Sequence, residues 1–366
     1  MSESFPCLLT GPPGEDIGAI LNAADLLSLK CSCTHNDDEG SQSIFGSRHI
    51  PILETDLSLK SLTKLVQAAS DSQLAPLVQG LLIHRREGAS YGEGFTWPRD
   101  ALGQLVTPGE ILTSLAGIIS YFHNCSSFAV SRAPNCVFTG VDKKFPTPSE
   151  VVAILNTAIA LSGVTVKKYG IDFQPFLQGS AMKGNPADGV LLDSIQLRDP
   201  EFVAALQGIE SLTLKLRVES EDSVSFVLAL LRHTPSLREL TIDFNAGTAA
   251  RTFLTRLLVQ RPTFQLKHLS LKNSTLSGRA LYTLFAANCT NLQTLHLEQI
   301  HLEEKGSWLP IIELLRVGVS HLNEAGLLDL TSGSDAIDSW SLDVVGAANG
   351  PVGRKFVWDR SEKTPY

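Results

Sequence analysis

The 366-residue chain has no basic excess: 30 Lys and Arg stand against 38 Asp and Glu, for a net charge of −8. A general nucleic-acid or membrane-surface binder needs the opposite balance, so neither nucleic acid nor membrane is expected as a partner. Long apolar runs are missing too. The stretch from Ile111 to Phe122 is too short for a bilayer span and is interrupted by Thr, Ser and Gly. The opening "MSESFPCLLTGPPGED" lacks the basic n-region and sustained apolar h-region of a secretory signal. Cysteine is sparse: Cys7, Cys31, Cys33, Cys125, Cys136 and Cys289 are scattered along a long chain. Without a secretory route they read as reduced core residues, not a disulfide framework, and the sequons at Asn124, Asn273 and Asn288 carry no weight. The expected location is cytoplasmic or nuclear.

Catalytic signatures are also lacking. There is no G-x-x-x-x-G-K-[ST], no G-x-G-x-x-G after a strand and no G-x-S-x-G, and none of the nine histidines pairs with Cys or Asp as a nucleophile would need. "GASYGEGF" has spaced glycines without a lysine or a strand–helix frame, which predicts a mobile loop and not a phosphate cradle. No enzyme, cofactor or metal is expected.

What the chain does contain is a repeat. "IESLTLKL" from Ile209, "LRELTIDFN" from Leu237, "LKHLSLKNSTL" from Leu266 and "NLQTLHLEQIHL" from Asn291 state one pattern four times. Its first apolar positions, Ile209, Leu237, Leu266 and Leu292, are spaced 237−209=28, 266−237=29 and 292−266=26. Leu237, Leu240, Ile242 and Asn245 fill the L-x-x-L-x-L-x-x-N frame of leucine-rich repeats, and Leu266, Leu269, Leu271, Ser274 and Leu276 fill it with serine at the polar place. Weaker copies lie upstream: Val166, Tyr169 and Ile171; Cys125, Phe128 and Val130; Val78, Leu81 and Ile83. Their irregular spacing requires insertions, for which the Gly- and Pro-containing stretches 86–98, 142–150 and 179–189 are the candidates.

Between strands the period changes to that of a helix. Phe226, Val227, Leu230 and Leu231 form one apolar face, as do Phe253, Leu254, Leu257 and Leu258, then Leu281, Leu284 and Phe285. Strand and helix alternating in units of 26 to 29 residues resemble the ribonuclease-inhibitor-like class of repeats. The expected fold is therefore an α/β leucine-rich-repeat solenoid, with parallel strands on the concave side and helices on the convex side, because one unit cannot bury its leucines alone.

The N-terminal segment "PPGEDIGAILNAADLLSLKCSCTHNDDEGSQSIF" resembles a degenerate F-box through Pro13, Glu15, Ile20, Leu21, the "DLLSL" of Asp25 to Leu29, Cys33 and the closing Ile44-Phe45. The following stretch to His84 is similar to the linker of fungal F-box-like repeat proteins. The resemblance implies the substrate receptor of an SCF-type ubiquitin ligase. A Skp-type adaptor would be gripped through Pro13, Ile17, Ile20, Leu21, Leu26, Leu27 and Leu29, and the repeats would choose an unknown target. Pro12, the short link from Leu21 to Asp25 and Asn36 depart from the F-box pattern. They leave open a second reading, an adaptor-independent scaffold in which the F-box remnant only caps the array. Cys31, Cys33 and His35 do not converge as tetrahedral ligands on a helix capped by Asp25, so they read as helix residues.

The expected organisation is an F-box-like helical segment at 1–48, a repeat array at 49–304 with irregular early units, and a cap or tail at 305–366. With leucines inward, the alternate strand residues face the concave surface. The partner-binding candidates are Lys215, Glu239, Thr241, Asp243, His268, Lys272, His296 and Glu298. His268, His296 and His301 form a surface cluster, and the mixed signs suit a protein or peptide partner.

Overall fold

The computed structural model describes residues 52–85, 90–101, 103–132, 144–173, 197–216, 221–244, 251–260, 262–303 and 308–332, together with the backbone of 340–344 and 356–359. Strand and helix alternate from β1 to β9 among the described residues. The order is β1 (Ile52–Thr55), α1 (Leu59–Ser70), β2 (Gly80–Arg85), α2 (Gly109–Tyr121), β3 (Ser127–Arg132), α3 (Pro148–Ser162), β4 (Lys168–Asp172), α4 (Pro200–Leu206) and β5 (Ser211–Lys215). It continues through α5 (Glu221–Arg232), β6 (Glu239–Asp243), α6 (Phe253–Val259), β7 (His268–Leu276), α7 (Gly278–Asn288), β8 (Thr294–Leu302), α8 (Leu309–Glu313), β9 (Glu324–Ser332), β10 (Trp340–Val344) and β11 (Phe356–Asp359).

The strands form one sheet in sequence order, parallel from β1 to β9 and antiparallel from β9 to β11. Parallel neighbours cannot be joined by a tight turn, and each of the eight parallel connections contains a helix among the described residues. The strands start in phase: Gly80, Ser127, Lys168, Ser211, Glu239, His268, Thr294 and Glu324 are successive register partners. An unstaggered parallel sheet stacks like on like. Leu81, Phe128, Tyr169, Leu212, Leu240, Leu269, Leu295 and Ala325 form one buried column, and Ile83, Val130, Ile171, Leu214, Ile242, Leu271, Leu297 and Leu327 form the next. The residue three positions before the first column is buried as well, from Val78 and Cys125 to Leu292 and Leu322. This is the apolar-x-x-Leu-x-apolar frame, and the irregular upstream copies occupy the places their leucines predict.

The four repeats of regular spacing were expected to fade beyond residue 304. The parallel ladder instead continues into β9, where Leu322, Ala325, Leu327 and Leu330 are buried in the same frame. Alanine at the second position removes the leucine signal without changing which face is covered.

Two strand geometries share the sheet. In β4, β5 and β6 the large apolar side chains step strictly by two and continue past the strand end to Phe173, Leu216 and Phe244. In β7, β8 and β9 the inward residues step by two and then by three: Leu269, Leu271, Ser274, Leu276; Leu295, Leu297, Ile300, Leu302; Ala325, Leu327, Leu330. The extra residue at each step, Asn273, Gln299 or Asp329, has a left-handed φ of 50°, 53° or 50°. An alternating strand cannot take a three-residue step and keep its face. One left-handed residue restores the phase, so the strand extends to nine residues with its apolar side still inward.

The insertion between β2 and α2 is not the loose loop its glycines suggested. Tyr91 and Trp97 are buried; the Tyr91 hydroxyl donates to the Ser131 carbonyl at 2.7 Å, and Trp97 Nε1 donates to the Gly92 carbonyl at 2.8 Å. Gly92 has φ +71°, and a Cβ there would stand 2.4 Å from the Trp97 ring, so the glycine makes room for the indole. Arg99 then crosses to α3, bonding Glu150 through both oxygens at 2.6 and 3.1 Å and the Phe145 carbonyl at 3.1 Å. Glu150 also completes a capping box with Thr147, whose backbone N–H it accepts at 2.7 Å. Residues 148–150, anticipated as loop, are therefore the buried first turn of α3.

Candidate protein-recognition face

The helices cover the leucine face of the sheet, which leaves the alternate strand residues on the other side. Three register columns cross β4 to β9 there. The first runs Lys168, Ser211, Glu239, His268, Thr294, Glu324; the second Gly170, Thr213, Thr241, Ser270, His296, Gly326; the third Asp172, Lys215, Asp243, Lys272, Glu298, Leu328. All eight partner-binding candidates fall in these columns.

The third column alternates in sign up to Glu298, and its members pair along the sheet. Lys215 Nζ lies 2.8 Å from Asp172 Oδ2, and Lys272 Nζ 2.6 Å from Glu298 Oε2. These lysines are half-buried and engaged inside the molecule, so they are not the free contact charges that strand alternation alone predicts. Glu298 also meets His296, with Nε2 3.2 Å from Oε2. Burial pushes the Glu298 carboxyl up, but the hydrogen bonds and charges of Lys272 and His296 outweigh it and hold the group below the usual carboxylate value.

Asp243 requires a correction. It was expected to point into solvent beside Lys272. It is the register partner of Lys272, yet it is only 1% exposed and accepts a hydrogen bond from Asn273 Nδ2 at 2.9 Å. The left-handed turn at Asn273 aims that amide across the strand, and a carboxylate so enclosed persists because it is hydrogen-bonded. Asp243 belongs to the framework of the face and not to its contact surface.

His296 is placed by a glycine. A Cβ on Gly326 would stand 2.7 Å from His296 Nδ1, so the bare Gly326 backbone on β9 admits the ring. One ring nitrogen thus faces Glu298 and the other lies against the Gly326 backbone on β9. His301 bonds Thr331 Oγ1 at 2.8 Å, further along the same strand.

The residues that remain open are Glu239 and Glu324, both exposed, with His268, Thr241, Ser270 and Thr294 half-buried between them. Leu328, at 39% exposure, ends the charged column with an apolar side chain. Asn273, Gly326 and Leu328 were missed in the sequence. The three-residue step between Leu271 and Ser274 is the signal that could have exposed Asn273.

An open cleft lies off this face, lined by Glu221, Ser225, Arg251, Thr252, Thr255, Arg256 and Glu303. Its arginines are matched by carboxylates, Arg256 to Glu221 at 2.6 Å and Arg251 to Glu303 at 3.6 Å, so it presents little net charge. Among the described residues no three His, Cys, Asp or Glu side chains group as metal ligands, and no described helix is long and apolar enough to cross a membrane. Burial pushes the Cys125 thiol up to about 12, which its weak contact to the Ser127 carbonyl does not offset, and a thiol so placed is a core residue. The adaptor-binding candidates Pro13, Ile17, Ile20, Leu21, Leu26, Leu27 and Leu29 lie outside the described residues, as do Cys31, Cys33, His35 and Asn245. No family model matches the chain, and no curated protein matches it.

Proposed function

We propose that the chain is a non-enzymatic leucine-rich-repeat protein that binds a protein target on its open sheet face. In this reading it serves as the substrate receptor of an SCF-type ubiquitin ligase, with a Skp-type adaptor held by the F-box-like segment. The observation that carries the recognition half is the in-register parallel sheet of nine strands, one side filled by leucines and the other lined with hydroxyls, imidazoles and carboxylates. Such a surface is polar, rigid and broad, properties that suit specific protein contact. The adaptor half rests on the resemblance of residues 13–45 to an F-box.

The test is co-purification of the full chain with a Skp-type adaptor, beside Leu27→Asp. A charge at a position that an adaptor groove must cover abolishes capture, while the melting temperature of the sheet region is retained. Failure of the wild-type chain to capture adaptor would replace the receptor with the scaffold whose F-box remnant caps the array.

A further inference from the structure

The charges on the open face of β6 to β9 do not balance. Lys272 is the one lysine or arginine in the three columns over these strands, and Glu298 takes it at 2.6 Å. Against it stand the column carboxylates of Glu239, Asp243, Glu298 and Glu324, with Asp329 beside them at the left-handed step of β9. Asp243 is enclosed with Asn273, and Glu298 is shared by Lys272 and His296. Glu239, Glu324 and Asp329 remain, each exposed, while Arg238 and Lys267 stand before the first residues of β6 and β7 at the rim.

The three carboxylates are far apart. Glu239 and Glu324 are separated by three strand spacings, and Glu324 and Asp329 by five residues of β9, so each gap is roughly 15 Å from strand dimensions. No single cation is chelated over such distances. They frame a surface instead, with Leu328 exposed between Glu324 and Asp329.

We infer that the face of β6 to β9 docks a basic protein segment, whose Lys or Arg side chains meet Glu239, Glu324 and Asp329 and whose apolar side chain covers Leu328. This rests on the proposed recognition role of the sheet and adds the chemistry of the partner. Opposite charge would steer the encounter, and the one apolar contact would supply burial at its β9 side. The internal pairing of Lys272 is essential to the inference, since a free lysine here would repel the same partner.

The experiment selects random displayed dodecapeptides on the full chain, then measures the winners on variants by fluorescence anisotropy. Enriched peptides carry net positive charge and bind more weakly as salt rises. Glu239→Gln with Glu324→Gln and Asp329→Asn weakens them about tenfold or more, whereas Glu110→Gln with Glu201→Gln and Asp222→Asn, an equal charge change on the helices, leaves them within about twofold. Ser270→Trp, which obstructs the middle column, blocks them. Winners without basic bias that Ser270→Trp still blocks would overturn the basic partner and leave the recognition face standing. Winners indifferent to Ser270→Trp, or no winners at all, would overturn both.

Discussion

The strands before and after residue 260 solve one problem in two ways. From β2 to β6 they are short, carry no left-handed step, and are separated by insertions up to β5; the turns that follow β2 are tied down by Tyr91, Trp97 and the Arg99–Glu150 pair. From β7 to β9 the strands reach nine residues, insertions disappear, and a left-handed residue in each strand lets the apolar frame continue. The early strands rely on side chains reaching across from inserted turns, and the late strands on repetition of one backbone device. Cross-links between distant segments are sensitive to loss of one partner, whereas a repeated local geometry spreads its cost along the array.

Breaking the early arrangement should have the largest effect. Glu150→Ala strands a mostly buried Arg99 and removes the α3 capping box, at a cost of about 3–5 kcal/mol. Hydrogen exchange should then rise first in β2, β3 and α3 while β7 to β9 stay protected; uniform exchange would show that the two regions unfold as one. Leu240→Ala, in the last of the early strands, removes a fully buried side chain and should cost about 2–5 kcal/mol by denaturant titration. An unchanged midpoint would mean that Leu240 is not in the core column.

Smaller changes sharpen the contrast. Asn273→Val forces a β-branched residue into a left-handed φ and removes the amide that Asp243 accepts, for about 1–3 kcal/mol. Asn273→Gly loses only the amide, so thermal melts of the two variants separate backbone strain from the hydrogen bond; equal losses would assign everything to the bond. Glu298 has the smallest expected effect. Its pKa is lowered on folding, so its contribution is complete above the ordinary carboxylate value of 4.5 and is lost as pH falls through the lower folded value. Because the pair is half-exposed, Glu298→Gln should change stability at neutral pH by on the order of 0–1 kcal/mol and flatten the acid limb of the stability curve by that amount. A larger loss at neutral pH would give the pair a structural weight that its exposure does not predict.

Leucine spacing alone located seven strands, β2 to β8, and the helices between the later ones. Burial of apolar side chains with period two or 3.6 is a local consequence of backbone geometry, and it leaves its trace in any window of about ten residues. It also told which strand residues oppose the core, and so named Glu239, Thr241, His268 and His296. Pairing between strands left no such trace. That Lys215 belongs to Asp172, that Lys272 is taken by Glu298, and that Asp243 is closed in by Asn273 depend on register between segments 26 to 43 residues apart. The same holds for Gly326 making room for His296, for Arg99 finding Glu150, and for β9, where Ala325 fills a place that leucine fills in the four preceding strands. Alternation states which way a side chain points, but only the packed sheet decides what stands beside it, because burial and partnership are properties of neighbours and not of sequence spacing.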